Sequence, residues 1–149
     1  RAAPGPPPPA GPGVPGGGGG GGGARPPPPP PDSPWSDPVQ FTTVARRHPH
    51  VPLLLGHAGL WPYGFARAAE LIHGHPNLYL EICGSKMTGR WIAKLAALAG
   101  ADRVVYGSDS CFLDLRVGFG RVALAPVSDA DRALIQGGNL ARVLKGRLA

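Results

Sequence analysis

The fold of this chain follows from two short apolar runs that each end in polar side chains, VPLLLGHAG at residues 51–59 and RVVYGSDS at residues 103–110. A continuous Val/Leu run closed by Gly is typical of a strand that helices cover. Such strands form parallel sheets, in which the loops after the carboxyl ends converge on one mouth. We therefore expect His57 and Asp109, which stand at these ends, to meet in one site.

A third run, NLYLEIC at residues 77–83, lies between these two, and apolar residues at helical spacing separate all three. Helical patterns cover residues 38–48, 65–75, 91–100, 128–139 and 140–148, with Ser128 and Asn139 as predicted caps. Residues 111–120 are predicted to be irregular. Strands that alternate with helices indicate right-handed βαβ units, and hence an α/β fold with a small parallel sheet. Both edges of that sheet are predicted to be unpaired and apolar, which calls for cover or completion.

Proline and glycine are concentrated at the amino terminus. Residues 1–31 contain 13 Pro and 11 Gly, so this segment is predicted to be a disordered, low-complexity tail. The tail is interpreted as a spacer, and docking to SH3- or WW-type domains is the alternative. The remaining 118 residues, 32–149, suffice for one hydrophobic core and are assigned to one domain.

Charge and cysteine content exclude several classes of protein. The net charge is +6, but Lys and Arg are scattered, so no nucleic-acid-binding stripe is predicted. No run of 18 apolar residues exists that would span a membrane. Two cysteines do not make a secreted disulfide framework, so a reducing, cytoplasmic location is expected. The sequence begins with Arg1, so we expect either a processed terminus or a piece of a longer protein.

The polar residues at the strand ends have two interpretations each. Histidine side chains often act in catalysis, so His57 can be catalytic, but it can also be a structural hydrogen bonder. Asp109 follows a buried run, so its carboxylate must be paired, hydrogen-bonded or bound to a metal. The alternative role of Asp109 is a helix N-cap or an Asx turn.

His73 and His75 are interpreted as a helix C-terminus on the opposite rim rather than as a metal pair.

Other polar residues near the predicted mouth are ambiguous. Glu81 points either into the sheet interior or at the mouth, and the sequence does not decide which. Cys83 and Cys111 follow two of the strands, but each is more simply a small buried apolar residue. Lys86 and Arg90 either bind an anionic group of the substrate or solvate the start of a helix.

Four stretches resemble the amidohydrolase-related family, the second amidohydrolase family of metal-dependent hydrolases, which includes decarboxylases of the aminocarboxymuconate-semialdehyde type. RRHPHVPLLLGHAGLWPY is similar to that family's sixth strand and its His-Ala-Gly loop, and HPNLYLEICG is similar to its seventh strand. RVVYGSDSCF resembles the eighth strand with its Gly-Ser-Asp signature, and IQGGNLARVL resembles the closing Gly-Gly-Asn-Ala-Arg helix. The match runs in order over residues 45–145.

The resemblance implies a TIM-type (β/α)₈ barrel with a divalent metal, often zinc, at its mouth. Asp109 would then ligate the metal and accept a proton from its bound water, and His57 would be catalytic and polarise a small-molecule substrate. The implied reaction is hydrolysis of a C–N or ester bond, or the related decarboxylation.

The chain lacks counterparts of the family's first-strand His-x-His and fifth-strand His, which supply most of the metal ligands. A barrel takes about 250 residues, so we expect the chain to hold the last three strands and to lack most metal ligands. The alternative is a noncatalytic half barrel with a proline-rich arm, which self-associates through its open sheet edges.

Overall fold

The computed structural model describes residues 37–60, 62–110 and 112–145 of the 149-residue chain. The tail of residues 1–31, the start of the assigned domain and Cys111 lie outside the described residues. The strands are β1 (Leu53–Leu55), β2 (Leu78–Glu81) and β3 (Val104–Val105). The α-helices of the described ranges are α1 (Phe41–Arg47), α2 (Pro62–Ile72), α3 (Gly89–Ala99), α4 (Leu115–Ala123), α5 (Asp129–Ala133) and α6 (Asn139–Leu144).

The three strands form one parallel sheet in the order β1-β2-β3. Leu53 pairs with Leu78 in the register of the first two strands, and Leu80 pairs with Val104 in that of the last two. Helix α2 connects β1 to β2, and α3 connects β2 to β3. The predicted βαβ units are therefore confirmed, and the carboxyl ends of all three strands lie at the same edge of the sheet.

The two faces of the sheet differ in burial. Leu78 and Leu80 are fully buried in a single apolar core that they share with residues of α2 and α3 such as Ile72 and Leu95. Leu54 is 39% exposed, and Tyr79 beside it is half-buried, so the other face has no complete covering layer. A doubly wound sheet is covered on both faces, whereas a barrel strand carries helices only on the outside. The sheet thus has the form of a barrel section.

Residues 115–120 are helical, which corrects the prediction that the stretch 111–120 is irregular. Helix α4 occupies Leu115–Ala123, and the Asp114 side chain caps it by accepting a hydrogen bond from the Arg116 amide. Gly118 and Gly120 hide the helical pattern, because glycine disfavours helix interiors. Gly118 is buried, and a Cβ at this position would lie 3.4 Å from the Tyr106 ring. The glycine therefore permits α4 to pack closely on the residues after β3.

Asn139 is not the cap of a separate helix. One turn of π-helix, Leu134–Gly138, joins α5 to α6, and Asn139 is the first residue of α6. Its buried side chain instead donates hydrogen bonds to the carbonyl oxygens of Ala101 (2.8 Å) and Val104 (2.7 Å). Ser128 does cap α5, as predicted, by accepting from the Asp131 amide.

The two sheet edges differ, although both were predicted to be unpaired. At β3, the Val104 carbonyl is bound by Asn139, and the Tyr106 amide donates to the Ile135 carbonyl at 3.0 Å. The carboxyl-terminal helices thus occupy hydrogen-bonding groups at that edge. At β1, which ends the sheet on the other side, Leu54 and Val51 remain exposed. None of the helices in the described ranges is both long and apolar enough to cross a bilayer.

Candidate active site

The loop after β1 holds its residues in an unusual backbone conformation. His57, Ala58 and Leu60 have positive φ angles of 59°, 47° and 67°. Side chains with a Cβ rarely adopt this region, which costs of order 1–3 kcal/mol for each residue. The loop therefore presents His57 through a conformation that surrounding contacts must maintain.

The loop after β3 has the same feature at Asp109, whose φ angle is 56°. The Asp109 carbonyl accepts hydrogen bonds from the amides of Phe112 (2.9 Å) and Leu113 (2.8 Å), so the chain turns sharply here. Helix α4 is capped by Asp114 and not by Asp109, which removes one of the two structural roles considered for Asp109. All four positive-φ residues other than glycine in the described ranges lie in these two loops, and such strain clusters at functional sites.

Glu81, at the end of β2, lies between the two loops. One carboxylate oxygen, Oε2, accepts the His57 amide at 3.2 Å and the Cys83 thiol at 2.8 Å. The other oxygen, Oε1, accepts the Cys83 amide at 2.8 Å. The side chain therefore lies among the loops at the mouth, although it does not line the cleft, and this is the orientation that the sequence left open. Glu81 joins the loop after β1 to the loop after β2.

The Cys83 thiol is held in its neutral form. Burial, followed by the hydrogen bond to Glu81 and the negative charge of that carboxylate, raises the pKa of Cys83 from 9.0 to about 12. Reactive cysteines require a lowered pKa, because the thiolate is the nucleophile. The expectation that Cys83 is not a nucleophile agrees with this, although Cys83 is half-buried and lines the mouth.

A cleft of about 140 Å³ opens at the mouth. Its lining comprises His57 and Leu60 from the first loop, Phe65 from α2, residues 83–87 from the second loop, and Asp109 from the third. The structure thus brings His57 and Asp109 to one cleft, as the two strand ends predicted. Ligand pockets measure roughly 300–1,000 Å³, so this cleft is part of a site rather than a complete pocket.

Two residues of the site were missed by sequence reasoning. Gly84 faces the His57 ring, and a Cβ at this position would lie 2.9 Å from Nδ1, so only glycine leaves room for the imidazole. Arg121, on α4, donates from its guanidinium to the Gly84 carbonyl at 2.7 Å and fixes the second loop. Arg121 had no detectable signal, because residues 115–120 of the helix that carries it were predicted to be irregular.

The remaining polar candidates divide between the two ends of the sheet. Lys86 lines the cleft, whereas Arg90 does not contribute to its lining. His73 and His75 follow α2 and contact carbonyl oxygens of Leu98 (2.7 Å) and Leu71 (2.9 Å). These contacts near helix ends, before β2 begins, agree with the predicted helix C-terminus on the opposite rim.

The described residues do not complete a metal site. Within residues 37–60, 62–110 and 112–145, no three His, Cys, Asp or Glu side chains are grouped so that they can hold a metal ion. A catalytic metal usually needs three protein ligands. The Glu81 carboxylate is already bound to two amides and a thiol, which leaves Asp109 as the candidate carboxylate ligand at this mouth.

Several solved structures share this fold, among them three decarboxylases. A 2,6-dihydroxybenzoate decarboxylase from Rhizobium has a TM-score of 0.55 and 18% identity, over 70% of this chain and 38% of that one. A second structure is that of a dihydroxybenzoic acid decarboxylase from a Polaromonas species, with bound manganese and the inhibitor 2-nitroresorcinol. It has a TM-score of 0.58 and 20% identity, over 75% of this chain and 40% of that one. A 5-carboxyvanillate decarboxylase from Sphingomonas paucimobilis has a TM-score of 0.54 and 18% identity, over 74% of this chain and 37% of that one. The chain thus spans about two fifths of the length of these neighbours.

No protein of curated function matches the chain by sequence. The sequence model of the amidohydrolase family, however, matches residues 13–146, which is most of the chain. The order of strands, the partial barrel and the two polar strand ends agree with that match. The chain therefore belongs to the amidohydrolase family.

Proposed function

We propose that this chain supplies the carboxyl-terminal part of the mouth of a metal-dependent barrel enzyme that acts on a small aromatic carboxylate. The observation that carries the proposal is the shared cleft, to which strained loops after β1 and β3 bring His57 and Asp109. The three neighbours named above are decarboxylases, so we favour decarboxylation over hydrolysis of a C–N or ester bond.

His57 is proposed as the proton donor. Loss of CO₂ from an aromatic ring requires a proton at the carbon that held the carboxylate, and an imidazole is a common general acid that can deliver it. The His57 backbone is fixed by Glu81, and its ring lies against Gly84 at the wall of the cleft. Lys86 also lines the cleft, and its ammonium group suits the negative charge of the substrate.

Asp109 is proposed as one ligand of a divalent metal in a complete barrel. The family resemblance favours zinc, whereas the Polaromonas neighbour holds manganese. The described residues do not provide the other ligands, so this chain by itself is expected neither to retain a metal nor to release CO₂.

A titration of the full chain with 2,6-dihydroxybenzoate, followed by amide resonances in NMR spectra, tests the proposal. We expect saturable shifts at residues 57–60, 83–87 and 109, without CO₂ release. Lys86→Ala should weaken binding, and Lys94→Ala is the matched control, because Lys94 packs over the Trp91 ring and is not part of the cleft lining. An absence of shifts at the cleft, or shifts confined to the opposite rim around His73, would contradict the proposal.

A noncatalytic half barrel is the second candidate. It is favoured by the apolar β1 edge, where Val51 and Leu54 are 42% and 39% exposed. This proposal predicts a stable dimer of the full chain in light scattering, which Leu54→Lys should dissociate. A monomer with saturable ligand binding at the mouth would instead favour the enzyme part.

A further inference from the structure

We propose that Glu81 is a positioning residue, which clamps the loop after β1 to the loop after β2 and so holds His57 in the conformation that faces the cleft. The proposal rests on the role at the mouth proposed above for His57. It extends that role to a residue which does not itself line the cleft.

The contacts of Glu81 reach all three strand ends. Its carboxylate accepts the amides of His57, after β1, and of Cys83, after β2. At β3, a Cβ on Gly107 would overlap the Oε1 oxygen, so glycine there makes room for the carboxylate. At β1, a Cβ on Gly56 would lie 3.9 Å from Oε2. One side chain therefore occupies the space between the strand ends.

Space filling alone does not explain this choice of residue. An apolar side chain can fill the same space, but it would leave the partly buried amides of His57 and Cys83 without their present acceptor, which is costly. The His57 amide is bound just where the backbone enters the left-handed region, at φ 59° and ψ 11°. The hydrogen bond thus acts on a residue whose backbone conformation needs support.

The position of the imidazole depends on this clamp. With the backbone held by Glu81, the ring lies against Gly84, whose carbonyl is in turn held by Arg121. The first loop is thus fixed by β2 and the second loop by α4. Release of Glu81 is expected to free the His57 backbone to relax out of the left-handed region and to turn the ring from the cleft.

Hydrogen exchange of individual amides in the full chain tests the clamp without any need for activity. Glu81→Leu removes the acceptor, Glu81→Gln retains one acceptor oxygen, and Gly107→Ala displaces the carboxylate without changing a polar group. Gly74→Ala is the matched control, because a Cβ there meets nothing within 4 Å. A lost hydrogen bond to a charged group corresponds to exchange that is about 10- to 100-fold faster.

We expect this acceleration at His57 and Cys83 in Glu81→Leu and Gly107→Ala, with partial recovery in Glu81→Gln and no change at Leu80. The variants that accelerate exchange should also lose the shifts that 2,6-dihydroxybenzoate causes at the cleft. Unchanged exchange at His57, or an equal rise at Leu80, would overturn the clamp. If the clamp is seen but the unaltered chain shows no ligand shifts, the proposed function fails while the clamp stands.

Discussion

The thiol of Cys83 offers a quantitative test of the electrostatics at the mouth. With a pKa of about 12, about one thiol in ten thousand is ionised at pH 8, against about one in ten for the reference value of 9.0. A thiolate of higher pKa is intrinsically more nucleophilic, which recovers part of this loss. The net expectation is reaction with a neutral disulfide that is roughly 30- to 60-fold slower than for the unfolded chain.

The assay uses the full chain with Cys111→Ser, which leaves Cys83 as its single thiol. Reaction with 4,4′-dithiodipyridine is followed from pH 7 to pH 10.5. The rate should rise about tenfold for each pH unit without levelling off, whereas the chain unfolded in urea should level off near pH 9. In Glu81→Gln the profile should level off at lower pH, because the hydrogen bond to the carboxylate and its charge are lost while burial remains.

The raised pKa of Cys83 also makes the stability of the fold depend on pH. The folded-state pKa of Cys83 is above the unfolded value, so the neutral thiol favours folding fully below pH 9. This contribution is lost as the pH rises from 9 towards 12. A profile of the folded chain that levels off near pH 9, or one that Glu81→Gln leaves unchanged, would refute the assigned environment of Cys83.

Three further substitutions test the packing that supports the mouth, each by urea titration of the full chain. Asn139→Ala removes the donor to the carbonyls of Ala101 and Val104 and should lower the free energy of unfolding by roughly 2–4 kcal/mol. Asn77→Asp replaces an amide that donates to three carbonyls between α1 and β1, and should cost about 2–4 kcal/mol. Phe65→Ala removes a ring that packs edge-on against Trp91 and should cost about 3–5 kcal/mol. If the free energy of unfolding falls by less than about 1 kcal/mol in any of these variants, the contact that the substitution removes is contradicted.

Much of the fold was predictable, because apolar runs of strand length alternate with helical patterns. The prediction failed where local preference and tertiary packing disagree. Gly118 and Gly120 disfavour a helix, but α4 forms because Gly118 can approach Tyr106 closely. Asn139 has a side chain typical of a cap, yet it donates to the backbone that leads into β3.

Part of the site was also predictable, because the apolar runs show where each strand ends. Strand ends could be located from sequence, which placed His57 and Asp109 at one mouth. The orientation of Glu81 could not, because side chains alternate across a strand and the face depends on the register with the neighbouring strands. The left-handed backbone at His57 was also hidden, since it depends on the Glu81 hydrogen bond rather than on residue type.

Paramagnetic broadening by Mn²⁺ tests most directly the central claim that His57 and Asp109 share one mouth. Mn²⁺ added to the full chain should contact the Asp109 carboxylate transiently, without being retained, and broaden the amide signals of Asp109, His57 and Gly84 together. Asp109→Asn should abolish the broadening, while Asp102→Asn, which alters an exposed carboxylate before β3, should leave it unchanged. Broadening confined to β3, or broadening that persists in Asp109→Asn, would contradict the shared mouth.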